Sequence, residues 1–82
     1  MNKAQRLQSI FNIANDLYKN NLPITLDAIF KKLDSKVTKV TISDDLKYMR
    51  SFIKPIGKHW VFTQEGIEAA KKDDIFQFTS LR

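Results

Sequence analysis

The sequence predicts a small α+β domain, mainly α with a small β-hairpin. Three observations carry this expectation. Apolar residues recur at helical spacing over 3–20, again after Pro23, and again from Thr38. Between 53 and 62 the pattern changes to β-branched and aromatic residues interrupted by Pro55 and Gly57. A last helical pattern then follows Thr63. A chain of 82 residues has room for one domain and no second, so residues 1–82 are read as a single unit.

In the first helix Leu7, Ile10, Phe11, Ala14, Leu17 and Tyr18 form one apolar stripe, with Ile13 at its flank. Asn20-Asn21 supplies an exit, because asparagine tolerates the left-handed conformation that ends helices. Leu22-Pro23-Ile24 should be extended, since proline disfavours helical geometry in the residue before it. Thr25 then caps a short second helix, with Asp27 in its first turn and Leu26, Ile29, Phe30 and Leu33 facing inward. It stops near Asp34-Ser35. A third helix runs from about Thr38 to Phe52, with Ile42, Leu46, Met49 and Ile53 on its inner line.

Strands are expected at 53–56 and 59–62, joined by a tight Gly57-Lys58 turn, and the Ile24 segment is expected to add a third strand. Strand alternation puts Trp60 and Phe62 on the core side, opposite His59 and Val61. Thr63 caps the last helix, which packs through Ile67, Ala69 and Ala70 and runs out at Asp73-Asp74. The tail, 74–82, holds Ile75, Phe76, Phe78 and Leu81, too apolar to float free. It is expected to dock on the domain or on a second copy.

Composition excludes several kinds of chemistry. With no cysteine there are no disulfides, thiolate metal sites or cysteine nucleophiles. His59, the one histidine, cannot build a zinc site alone. Ser35, Ser43 and Ser51 have no neighbouring base, and two glycines cannot form a nucleotide-cradling loop. Adjacent acids such as Asp44-Asp45 point about 100° apart on a helix. No enzyme activity, metal, cofactor or small-molecule ligand is therefore expected. No apolar run approaches the ~20 residues that span a bilayer, and no signal-peptide pattern opens the chain. A cytoplasmic protein without membrane contact is expected.

Charge is the informative remainder. The net charge is +5, and it concentrates in 35–62, where Lys36, Lys39, Lys47, Arg50, Lys54 and Lys58 face only Asp44 and Asp45. A local excess of cations points to a polyanion, nucleic acid first.

The order helix, short strand, helix, turn, helix, two-stranded hairpin, helix resembles a winged helix-turn-helix domain over about residues 4–72. The most specific part is Ile24 to Met49, followed by Ile53 and then Trp60-Val61-Phe62-Thr63-Gln64-Glu65-Gly66. That last stretch is similar to the aromatic–x–hydrophobic–Thr–x–x–Gly ending of MarR-like and PadR-like regulators. Small single-domain proteins of this kind often belong to phages, plasmids or archaeal viruses.

The resemblance implies a sequence-specific duplex-DNA-binding transcriptional regulator. The third helix would be its recognition helix and 54–62 its wing. Lys36, Thr38, Lys39, Thr41, Ser43 and Asp44 would face DNA at the start of that helix, with Lys47 and Arg50 further along. Thr25 would reach a phosphate from the second helix, and Lys54, Lys58 and His59 would be wing contacts. A short site read by one copy suggests a homodimer on a palindrome, formed through Ile13, Ile75, Phe76, Phe78 and Leu81.

Each assignment has a plainer alternative: Thr25 as a helix cap, the lysines as solvated surface, His59 as a strand surface residue. Asp44 and Asp45 depart from the pattern, because two carboxylates near phosphates repel unless one turns toward Lys39 or Lys47. They favour the rival expectation, a winged helix that binds a protein partner as an adaptor or as an inhibitor from a mobile element. Architectural DNA binding without sequence preference is a third reading.

Overall fold

The computed structural model describes residues 2–33 and 37–72. Its elements run α1 (Lys3–Lys19), α2 (Leu26–Lys32), α3 (Lys39–Tyr48), β1 (Ile53–Ile56), β2 (His59–Phe62) and α4 (Gln64–Lys72). The class is thus mainly helical with a two-stranded antiparallel sheet. Lys36 and the tail residues Ile75, Phe76, Phe78 and Leu81 lie outside the described residues.

Side-chain oxygens start the first three helices. Asn2 accepts from the Gln5 amide at 2.8 Å, while the Gln5 side chain accepts from the Asn2 amide at 3.2 Å. Two donors that a helix start leaves unmatched are satisfied reciprocally. Thr25 accepts from the Ala28 amide at 3.1 Å, and Thr38 from the Thr41 amide at 3.2 Å. At the far end of α1, Asn21 takes up the left-handed conformation at φ 57°, and the Leu22 amide donates back to the Leu17 carbonyl at 2.9 Å.

α3 is shorter than the periodicity suggests. It ends at Tyr48, and a turn through 49–52 leads into β1. Pro55 bars the helix from running on into the hairpin, because it has no amide hydrogen to give the Ser51 carbonyl. The Ser51 carbonyl accepts instead from the Thr63 hydroxyl, and the Phe52 carbonyl from the Thr63 amide at 2.9 Å. The turn also buries Phe52 and Ile53 together.

The hairpin pairs Ile53 with Phe62, Lys54 with Val61, Pro55 with Trp60 and Ile56 with His59. Ile53, Trp60 and Phe62 thus share the inner face, with Trp60 and Phe62 half-buried against the core. Gly57 sits at φ 63° at the first central position of the turn, where glycine has no steric penalty. The third strand expected at Ile24 is reduced to one bridge, in which the Trp60 amide donates to the Ile24 carbonyl at 2.8 Å. Pro23 has no amide hydrogen to offer, and Thr25 is already committed to capping α2. Only one residue remains free to pair.

The core is built from Ile10 and Phe11 of α1, Ile29 of α2, Ile42 and Leu46 of α3, and Ile53 of β1. Phe11 meets Phe52 edge-on at 6.2 Å and Phe62 at 5.3 Å between ring centroids. Ile13, expected on a dimer surface, is half-buried against this same core. No helix among the described residues is long and apolar enough to cross a membrane.

Gly66 closes the arrangement. A Cβ there would lie 1.9 Å from the Phe52 carbonyl oxygen, and the Gly66 amide donates to the Thr63 hydroxyl at 3.1 Å. Threonine followed three residues later by glycine is therefore a packing device that seats α4 on the 51–52 turn. Gly66→Ala is expected to lower unfolding free energy by about 1–3 kcal/mol through backbone overpacking, measured by urea denaturation. An unchanged midpoint would contradict this close approach.

Candidate nucleic-acid interface

The inner face of α3 is set by Ile42, Asp45 and Leu46, all buried. The helical repeat then assigns Val40, Asp44 and Lys47 to the opposite side. All three are exposed, as is Tyr48, with Val40 at 71% and Tyr48 at 63%. Ser43 and Thr41 flank this stripe and are half-buried.

Two ion pairs flank the helix, one buried against α1 and one at the surface toward α2. Asp45, only 3% exposed, receives the guanidinium of Arg6 from α1. Arg Nε donates to one carboxylate oxygen and Nη2 to the other, the latter at 3.1 Å. This corrects the expectation that Asp45 shares an acidic surface with Asp44: it lies with Ile42, Leu46 and Met49 at positions that share a helix face. The pair also holds Arg6 further into its charged form, first through the hydrogen bond. Along the same side, the Lys3 ammonium sits 4.1 Å from the centre of the Tyr48 ring.

Toward α2, Lys39 Nζ lies 2.7 Å from Asp27 Oδ1 and 5.3 Å from the centre of the Phe30 ring. Lys39, expected as a phosphate contact, is thus engaged with a carboxylate. The hydrogen bond from Lys39, then its positive charge, holds the Asp27 carboxyl below its ordinary range.

The remaining candidates separate by environment. The Thr25 and Thr38 hydroxyls cap their helices, and the Thr38 and Thr41 hydroxyls lie 3.1 Å apart. Lys47 and Arg50 are exposed at the end of α3 and just beyond it. Lys54 and His59 point to the outer face of the hairpin, and Lys58 occupies its turn. Lys47, Arg50, Lys54 and Lys58 have no ion-pair partner among the described residues. Asp44 is exposed, again without a polar partner among them. Val40 and Tyr48 were not singled out from sequence, yet they lie opposite the Ile42–Leu46 line, and that periodicity was the available signal.

A second surface lies away from α3. A groove of about 630 Å³ runs beside Tyr18, Leu22, Ile24, Ile56 and Trp60, with Ile67 of α4 also at its wall. Tyr18, Leu22 and Ile56 are at least half exposed. The described residues contain no cluster of side chains able to hold a metal ion. Compared with known proteins, the chain matches no family model, no curated protein and no solved structure.

Two outcomes are expected. Arg6→Met leaves the Asp45 carboxylate buried without its partner and should cost about 1–3 kcal/mol, whereas Arg6→Met with Asp45→Leu should recover most of that loss. Urea denaturation of both variants measures it, and equal stability of the two would contradict the pairing. For Asp27, the lowered carboxyl pKa means that the small stabilisation it contributes is present above the ordinary aspartate range and lost as pH falls through the lowered value. An NMR carboxyl titration should place its midpoint below 3.8, and Lys39→Met should move it back up. An unmoved midpoint would contradict the contact.

Proposed function

We propose that the protein is a winged helix-turn-helix reader of duplex DNA that acts as a small transcriptional regulator. In this reading α3 is the recognition helix, and the β1–β2 hairpin is the wing that rests on the flanking backbone. The observation that carries it is the outer face of α3, exposed at Val40, Asp44, Lys47 and Tyr48. Exposed cations without carboxylate partners among the described residues follow it along the chain: Arg50, Lys54 and Lys58. An α-helix fits the major groove, which is about 12 Å wide, and the inward Asp45–Arg6 pair leaves the outer face of α3 available.

Binding in this scheme divides between two sets of residues. Lys47, Arg50, Lys54 and Lys58 neutralise phosphates, which orients the protein without reading sequence. His59, on the outer face of the hairpin, accompanies Lys54. Ser43 and Asp44 face the base edges, Asp44 as an acceptor. Thr25, Thr38 and Thr41 act chiefly in shaping the helix starts, and Lys39 contributes less charge than a free lysine because Asp27 offsets it. A homodimer on a palindromic site supplies the second half of the contact.

The rival reading, a module that binds a protein, is favoured by one observation: the apolar groove with exposed Tyr18, Leu22 and Ile56. The two differ in salt dependence. For four to six neutralised phosphates the affinity for duplex DNA should fall with a log–log salt slope of about −4 to −5. Lys47→Ala and Lys58→Ala should each reduce that slope by about 1. Fluorescence anisotropy with a labelled duplex at several salt concentrations measures both. Absence of duplex binding at low salt, or slopes unchanged in both variants, gives the case to the protein-binding module.

A further inference from the structure

The outer stripe of α3 carries an unusual side chain for a surface that meets a polyanion. Val40, the second residue of the helix, is the most exposed of the large apolar residues described. A β-branched residue loses rotamer freedom in a helix, and an exposed one recovers nothing by packing. A lone exposed valine needs no explanation. The neighbours of Val40 do call for one: Asp44 lies one turn along the same face and Lys47 one turn beyond that.

From Val40 to Lys47 the helix rises roughly 10 Å, about three base-pair steps at ~3.4 Å each. The stripe therefore presents, in order, a methyl-bearing apolar group, a carboxylate acceptor and a cation. In the major groove only thymine offers a methyl group, and cytosine offers an amino donor. A carboxylate in the middle of the stripe repels the phosphate backbone, so the stripe suits the groove floor better than the rim.

Resting on the DNA-binding reading above, we propose that Val40 reads the 5-methyl group of a thymine, and that Asp44 accepts from the amino group of a cytosine about two base steps away. Specificity then comes from an apolar contact and an acidic one, while affinity comes from Lys47, Arg50 and the hairpin lysines. Asp44 weakens binding to DNA in general and strengthens the preference for one site.

The test starts by selecting duplexes from a random pool with the full chain. Each thymine of the selected site is then replaced in turn by deoxyuridine, which removes the methyl group alone. At one position the substitution should weaken binding about fourfold, the factor corresponding to burial of one methyl-sized group. Val40→Ala should bind the thymine and deoxyuridine duplexes equally, and Val40→Thr, which keeps a methyl, should retain part of the preference. Because Val40 is exposed, these variants are expected to fold, and circular dichroism checks it.

Asp44→Ala should bind random duplex more tightly while losing its preference at the cytosine. A uniform gain with that preference intact overturns the cytosine contact. A selected site with no methyl-sensitive thymine, or a methyl effect that survives in Val40→Ala, overturns the thymine contact and leaves DNA binding standing. If no duplex is enriched or bound at low salt, the proposal falls together with the reading beneath it.

Discussion

A buried carboxylate governs how α3 sits. Asp45 lies on the same side of the helix as Ile42 and Leu46, where a charge is tolerated only with a partner that replaces its lost water. Arg6 supplies that partner from the early turns of α1, with both carboxylate oxygens engaged. The geometry of such a fork is restrictive, so it orients the helix as well as holding it. Once Asp45 must face Arg6, Val40, Asp44 and Lys47 must face away. The availability of the outer stripe is thus a consequence of an interaction on the inner one.

The same logic extends to the elements around α3. Lys39 meets Asp27 at the surface between the first turn of α3 and α2, and beyond Tyr48 the chain turns toward the hairpin, where Thr63 receives it. Thr63 caps α4 and also takes up the carbonyls of the turn at 51 and 52. One threonine therefore joins the end of a helix, the start of a strand and the start of another helix. Gly66 is required because that junction leaves no space for a side chain. A domain this small has few such junctions, and each one carries a larger share of the stability.

Much of this was legible in the sequence, and what was missed has identifiable causes. The strand limits, the positive-φ glycine and the caps at Thr25 and Thr63 all follow from local chemistry. Proline, glycine and threonine act within a few residues of themselves. The end of α3 at Tyr48 was not legible from periodicity, because the turn through 49–52 keeps Met49 and Phe52 buried as a helix would. The Ile24 strand was overestimated because Pro23 and Thr25 already use up its neighbours. Asp45 and Arg6 are 39 residues apart, so their pairing arises from tertiary packing. Sequence alone groups Asp45 with Asp44 as an acidic surface pair, because the partner that lets a carboxylate turn inward lies on a different helix. Among the candidate site residues, sequence located the cations but not their partners, so it could not separate Lys39, which meets Asp27, from Lys47, which meets no carboxylate among the described residues.

The most direct measurement is an amide chemical-shift map of the labelled protein on addition of a mixed-sequence duplex at low salt. The account predicts that resonances of Val40, Ser43, Asp44, Lys47 and Arg50 move, together with those of the Gly57-Lys58 turn. Those of Leu22 and Ile24, beside the apolar groove, should stay in place. Shifts confined to the groove residues, or no shifts at all, would contradict it.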